Sequence, residues 1–472
     1  MVPSAAAPKL ADATQCIELL SLSNDFAARA RNAGAEASTA VTRANELSHL
    51  NAFISLAERD ESECQATSRK CLPLAGMPIA VKDNIDVRGF ACTGGTPALR
   101  EWRPPSDALI VKRLTAAGAV MVGKTNLHEL AAGVTSDNPT FGRVKNPYDP
   151  AVIAGGSSGG SAVAVAAGIV PIALGTDTAG SCRVPASLSG CVGFRPTIGR
   201  YPADGLIPLS LTRDAIGTFA RDVTHAMLAD WAVTGDMPTV AGSLAGKRLG
   251  IPRPYFYNDL DQDVSAVIDA ALGKLADGGA ILIETEVVNI EELVSKISVP
   301  IIMYEGLRDV AAYLNRHRCP VTAWQVVDQV AGPIERGLFQ TALLNNPIHH
   351  HDYVAILQAG RPAVIEAYRN CFAREQLDAL VLPTTPLPAR AVGADGAVAW
   401  NGQQIPALSA YIRSTDPTSI AGMPSISIPA GMTKGGLPVG LCIDALPGSD
   451  AALLSIALAV ERELPLIPKP VF

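Results

Sequence analysis

Between Ala154 and Pro185 the chain reads AGGSSGGSAVAVAAGIVPIALGTDTAGSCRVP, its densest concentration of residues that can do covalent chemistry. Ser157, Ser158, Ser161 and Ser181 are candidate nucleophiles, and the glycines around them let backbone N–H groups approach a reacting carbonyl closely. A Gly/Ser run by itself is an ordinary flexible loop. Here it lies between apolar segments, and a second loop, Gly175 to Ser181, closes another of them.

A serine needs a base, and two arrangements compete. GGSSG centred on Ser157 and GSSGG centred on Ser158 both satisfy the G-x-S-x-G elbow of α/β-hydrolases, which requires an acid and then a histidine downstream. His225, His317 and His349 to His351 are available, but none stands in a recognisable strand-end loop. The other arrangement uses a lysine as base.

Two further patterns invite chemistry and have plainer readings. GAVMVGKT, Gly118 to Thr125, matches the phosphate loop G-x-x-x-x-G-K-[ST]. Val120 and Val122 favour extended backbone where a phosphate loop must turn, so a buried strand is expected there and ATP binding is not. Adjacent imidazoles converge poorly on one ion, so the run His349-His350-His351-Asp352 reads as a solvated loop and no metal is expected.

Four segments together resemble the amidase signature family: GMPIAVKDNID, VGKTNLHELAAGVTSDNPTFGRVKNP, AGGSSGGSAVAVAAGIVPIALGTDTAGSCRVPASLSGCVGFRPT and GLPVGL. The match covers most of residues 70 to 220 and a closing part from about Ser414 to Leu441. The resemblance implies a Ser-cisSer-Lys triad, with Lys82 as base, Ser157 as the bridging serine behind a cis Gly156-Ser157 bond, and Ser181 as nucleophile. It implies an oxyanion hole from Thr178, Ala179, Gly180 and Ser181, and it implies no cofactor. Burial at the end of an apolar strand would lower the pKa of Lys82 enough for it to accept a proton. Two positions depart from the family pattern: Ala179 replaces a frequent glycine, and Cys182 a frequent aliphatic residue. Asp177 with Arg183, Ser158, Ser161, Lys124 and His128 are read as structural.

Within the family, Gly199 to Gly217 and the ending YIRSTDPTSIAGMPSISIP look most like bacterial hydrolases of small aryl or arylalkyl amides, with aryl-carbamate urethanases sharing the general pattern. The substrate pocket is expected at Gly133, Val134, Thr135 and Gly156, the loop after Arg200, and a variable region offering Met303, Tyr304 and Trp324. The expected partner is a small amide or carbamate, not nucleic acid or a membrane, and the resemblance allows a homodimer. A second class in the family is the glutaminase subunit of tRNA-dependent amidotransferases, which the acidic charge balance disfavours. A non-enzymatic binding protein would require a damaged triad, and all three residues are present.

The elements that must position these residues alternate. Apolar residues at helical spacing from Ala13 to Ala57 predict two or more helices. Met77 to Val81 reads as a strand ending at the turn Lys82-Asp83-Asn84, and Ala119 to Val122 and Val170 to Gly175 read as further strands, with helices at Ser106 to Ala117 and Ser161 to Gly168. Strands follow at Lys247 to Pro252, Ala280 to Ile283, Ala379 to Pro383, Ser425 to Pro429 and Pro438 to Asp444. Helices are expected at Val264 to Leu275, Asp450 to Arg462 and through most of Ile301 to Gln358. Such alternation predicts an α/β layered fold, and the family resemblance implies one large α/β/α domain around a mixed, twisted sheet.

Composition bounds the rest. The 472 residues are 48% hydrophobic and only 18% charged, which excludes a disordered chain and favours a large core. A net charge of -7 without a basic block disfavours nucleic-acid binding. Ala162 to Leu174 is too short and too interrupted for a membrane span. The first residues lack a secretory pattern, and nine cysteines without CxxC spacing read as free thiols, so a cytoplasmic location is expected. Length alone suggests about three domains; Gly235 to Gly250 and Gly393 to Gly402 are the nearest to linkers, and one catalytic domain of residues 1–472 is preferred.

Overall fold

The computed structural model describes residues 26–237, 242–344, 347–393 and 396–472. Its first strands are β1 (Phe53–Leu56), β2 (Pro78–Lys82), β3 (Val120–Thr125), β4 (Ile172–Asp177), β5 (Val192–Arg195) and β6 (Ala215–Ala220). After these come β7 (Arg248–Pro252), β8 (Ile281–Thr285), β9 (Ala379–Pro383), the hairpin β10 (Ala397–Trp400) and β11 (Gln403–Pro406), β12 (Ser425–Met432) and β13 (Pro438–Asp444). All but the hairpin join one 11-stranded mixed sheet in the order β1-β3-β2-β4-β6-β5-β12-β13-β9-β7-β8. The β3, β2 and β4 neighbours are parallel, and β4, β6, β5, β12 and β13 follow antiparallel.

Alternation of side chains across each strand builds two cores. Ile79 and Val81 of β2 and Ile172 and Leu174 of β4 pack with Met227 and Trp231 of the helix Val223–Thr234. Ala80 and Ala173 face the other way, toward Val41 of the helix Phe26–Glu46 and Val163 of the helix Gly159–Ala166. Helices therefore cover both faces, and Lys82, two residues beyond Ala80, follows the face on which the Gly159 helix begins.

Two expectations change. Residues 26–46 form a single helix, and Phe53–Leu56 is an edge strand paired antiparallel with β3 instead of helix; four aromatic or aliphatic-rich residues carry too little periodicity to tell the two apart, and pairing with β3 decides. Residues 13–25 lie outside the described ones. The Gly393 to Gly402 break carries β10 and the turn into β11. The strand expected at Ala119 to Val122 is present as β3, which runs on through Gly123, Lys124 and Thr125.

Candidate active site

Every residue of β2 is buried, and at its C-terminal end the Lys82 side chain is fully enclosed. Its Nζ donates to Ser157 Oγ at 2.8 Å and to Thr176 Oγ1 at 2.7 Å. No carboxylate touches it among the described residues, and burial pushes its pKa down to about 7, against a partial upward pull from the more distant Asp214 and Asp177 carboxylates. Lys124 makes the contrast. It is equally buried one strand away, in register with Val81, but its Nζ lies 2.8 Å from Asp83 Oδ1. Burial is the largest single effect and pushes its pKa down too, yet the neighbouring acidic groups, led by the charge and hydrogen bond of Asp83, together outweigh it and the net shift is upward. Two lysines of one sheet thus shift in opposite directions because one faces hydroxyls and the other a carboxylate.

Ser157 sits in the turn before the Gly159 helix, and the Gly156-Ser157 peptide is cis. A Cβ on Gly156 would fall 2.9 Å from both the Val134 carbonyl carbon and Ser136 Oγ, so only glycine fits this crossing. The Ser157 carbonyl accepts from the His128 N–H at 3.0 Å, and Ser136 Oγ accepts from the Gly159 N–H at 3.0 Å. Ser158 Oγ donates to the Thr176 carbonyl and Ser161 Oγ to that of Leu174, so these two serines fasten the turn and helix to β4. Of the four candidate serines, only Ser181 is partly exposed, and among the described residues nothing hydrogen-bonds its hydroxyl.

The turn Thr178 to Ser181 links β4 to the helix Arg183–Ser189. Asp177 secures its base: Arg183 Nε and Nη2 donate to the two carboxylate oxygens at 3.0 and 2.9 Å, and the Cys182 N–H adds a bond at 3.1 Å. Burial pushes the Asp177 carboxyl up, but Arg183 and Arg195 outweigh it and hold it well below the usual range. Thr178 Oγ1 donates to Asp214 Oδ1 at 2.5 Å, and the N–H groups of Leu209 and Ser210 bond the other Asp214 oxygen. Burial raises the Asp214 pKa to about 6. The backbone at Ala179 lies outside the left-handed region, so its side chain carries no conformational penalty there. Cys182 is buried among Ala186 and Phe219, and burial pushes its thiol up, which keeps it uncharged near Lys82. Among the described residues no hydrogen bond engages the N–H groups of Ala179, Gly180 and Ser181.

Gly133, Val134 and Thr135 are brought to the cis turn through Gly156 and His128: Thr135 Oγ1 meets His128 Nδ1 at 3.2 Å, and the imidazole packs on Gly133. His128 Nε2 reaches Glu335 Oε1 at 2.7 Å, and Glu129 accepts from the N–H groups of Ala331 and Gly332, which binds the variable helices to this loop. The loop after Arg200 joins the same centre, since Asn84 Nδ2 bonds both Thr176 Oγ1 and the Ile207 carbonyl. Met303 is buried on the helix Ile290–Arg316, where Tyr304 stacks on Tyr353 with ring centroids 4.0 Å apart. Trp324 is 57% exposed, and nothing among the described residues ties it to the Lys82 centre.

The histidine-based alternative finds no geometry. His225 bonds Asp222, His317 faces Asp86, His350 bonds Tyr304, and His351 contacts Asp352, all away from the serine hydroxyls. Thr176, Asn84, Asp214 and Glu335 escaped the sequence reading. Thr176 lay inside the quoted GTDTAGS segment but had no signal apart from its neighbours.

A serine hydroxyl bonded to an enclosed lysine, and a turn whose N–H groups take no hydrogen bond among the described residues, are chemically suited to acyl transfer. The chain belongs to the amidase signature family: the Amidase family model matches residues 34–454. It is 38% identical over 426 residues to an indoleacetamide hydrolase of Allorhizobium ampelinum, covering 89% of this chain and 92% of that one. It is 39% identical over 455 residues to a mandelamide hydrolase of Pseudomonas putida, covering 91% and 88%. The fold superposes on the peptide amidase from Stenotrophomonas maltophilia with a TM-score of 0.80 at 29% identity, covering 93% of this chain and 95% of that one. The protein is an amidase, a hydrolase of carbon–nitrogen bonds.

Proposed function

We propose that this amidase cleaves small aryl or arylalkyl amides, with aryl carbamates as secondary substrates, through Ser181, Ser157 and Lys82. The observation that carries the reading is the Lys82 ammonium group in contact with two hydroxyls and no carboxylate, at a pKa of about 7. Neutral Lys82 takes the Ser157 proton while Ser157 takes that of Ser181, and Ser181 Oγ bonds to the carbonyl carbon. The oxygen of the tetrahedral intermediate accepts from the free N–H groups of the 178–181 turn, each worth about 3 kcal/mol. As the C–N bond breaks, Ser157 protonates the departing nitrogen and regains a proton from Lys82. Water then attacks the acyl-enzyme by the same relay in reverse, releasing the carboxylic acid and restoring Ser181.

The aryl preference rests on the indoleacetamide and mandelamide hydrolases named above; Gly133 to Thr135 and the loop after Arg200, tied to the centre through His128, Gly156 and Asn84, are the segments we assign to the substrate pocket. We read the whole chain as one catalytic unit, because the sheet is continuous from β1 to β8. The test is a hydrolysis panel with the isolated chain: arylacetamides, anilides, phenyl carbamates and short aliphatic amides. Turnover of arylacetamides above the aliphatic amides is expected. Activity appearing only with a partner subunit and glutamine would overturn the reading in favour of an amidotransferase component.

A further inference from the structure

The 178–181 turn is held from two sides by residues far away in sequence. On one side Asp214 takes the Thr178 hydroxyl; the antiparallel register of β4 and β6 pairs Asp177 with Ala215, which sets Thr178 opposite Asp214. On the other side Thr415, fully buried, donates its hydroxyl to the Ala179 carbonyl at 2.7 Å, with a longer contact of 3.2 Å to the Ile412 carbonyl. The residues adjacent to these two holders are joined as well: the guanidinium of Arg213 pairs with the Asp416 carboxylate, both buried.

The peptide joining Ala179 to Gly180 is trans, so its C=O and N–H point in opposite directions. Fixing the Ala179 carbonyl on Thr415 therefore turns the Gly180 N–H away from Thr415. The following peptide is fixed likewise, because the Gly180 carbonyl accepts from the Val184 N–H at 2.7 Å, which directs the Ser181 N–H out of the helix start. Thr415 also packs against Gly180 so closely that a Cβ there would lie 2.1 Å from its hydroxyl oxygen, at a φ of +140°.

We propose that Thr415 is a positioning residue of the oxyanion hole: with Asp214 and the Arg213–Asp416 pair it forms a clamp that aims the Gly180 N–H at the developing oxyanion. The inference rests on the assignment of Ser181 as nucleophile and goes beyond it by naming what orients the donor. Threonine suits the role because its hydroxyl supplies the proton while its Cβ lies against Gly180.

The test uses Thr415→Val, which keeps the shape and removes the donor, and Thr415→Ser, which keeps the donor. Each is assayed with the best substrate of the panel, with the aldehyde of the same skeleton, which adds to Ser181 to give a tetrahedral adduct, and with the planar carboxylic acid product. Removing an oxyanion donor outright costs about a hundredfold to a thousandfold in kcat, so misaiming one is expected to cost about ten- to a hundredfold, with KM changed less than about threefold. Aldehyde affinity falls by the same factor as kcat/KM in Thr415→Val, acid affinity stays, and Thr415→Ser recovers most of both. A Thr415→Val enzyme with undiminished kcat, or one that loses acid and aldehyde affinity equally, overturns the clamp; so does a folded Thr415→Ser enzyme as impaired as Thr415→Val. If Thr415→Val does not fold, Thr415→Ala is read by the same split. Ser181→Ala separates the two levels: full activity there defeats the nucleophile assignment, whereas an inactive Ser181→Ala beside an unimpaired Thr415→Val defeats the clamp alone.

Discussion

Titrating Lys82 is the perturbation that bears most directly on the chemistry. Burial takes its pKa from 10.5 to about 7. At pH 7 an unshifted lysine is neutral in only about 0.03% of molecules, whereas Lys82 is neutral in about half, so burial supplies roughly 1,500 times more base. The same shift has a thermodynamic side. Its folded pKa lies below its unfolded value, so the folded protein holds fewer protons between pH 7 and 10.5, and stability rises with pH across that window. Below pH 7 the full penalty applies, about 5 kcal/mol for a shift of this size. The assay is kcat/KM for ammonia release from an arylacetamide between pH 5 and 9, with an acid limb of unit slope and a midpoint near 7. Lys82→Met is expected to lose turnover by at least about a thousandfold while gaining stability toward denaturant at pH 6. A profile flat to pH 5, or a Lys82→Met enzyme with more than a few per cent of the activity, would refute a lysine base.

Replacing Asp214 by Asn removes a negative charge that favours protonated Lys82, so the acid limb of the profile should move to lower pH; a limb displaced upward would contradict the assigned electrostatics. Thr176→Val deletes one of the two acceptors of Lys82 Nζ and is expected to lower kcat about tenfold with KM nearly constant, as read from initial rates. Glu335→Ala removes the buried contact with His128 and should cost about 1–3 kcal/mol in denaturant unfolding and raise KM through the Gly133 to Thr135 loop; unchanged stability would count against that link. Trp324→Ala, at an exposed position, is expected to leave kcat/KM within about twofold, and a tenfold rise in KM would return Trp324 to the pocket wall.

Much of the architecture was legible locally. Residues Ala379 to Pro383 and Pro438 to Asp444 are strands at the boundaries expected, because continuous apolar runs bounded by Pro, Gly or Asp carry their own punctuation. Strands β5 and β6 were passed over, since Val192–Arg195 and Ala215–Ala220 are short, contain glycine, and owe their form to pairing with each other and with β12 and β4. In the site, the motif-bearing serines and Lys82 stood out, whereas Asp214 and Thr415 did not. Each stands in an ordinary polar stretch, and its partner, Thr178 or Ala179, lies 36 or 236 positions away.

The chain alone specifies the menu: serines, glycines and a lysine at the ends of apolar segments, and a family pattern that ranks them. That pattern ranks Lys82 above Lys124, but nothing local to these two strand-end lysines explains the choice physically. Only the folded sheet does so, by turning Asp83 onto Lys124 and leaving Lys82 with Ser157 and Thr176. The reason is physical: a buried lysine keeps or loses its proton according to the charges within a few ångströms, and tertiary packing places them.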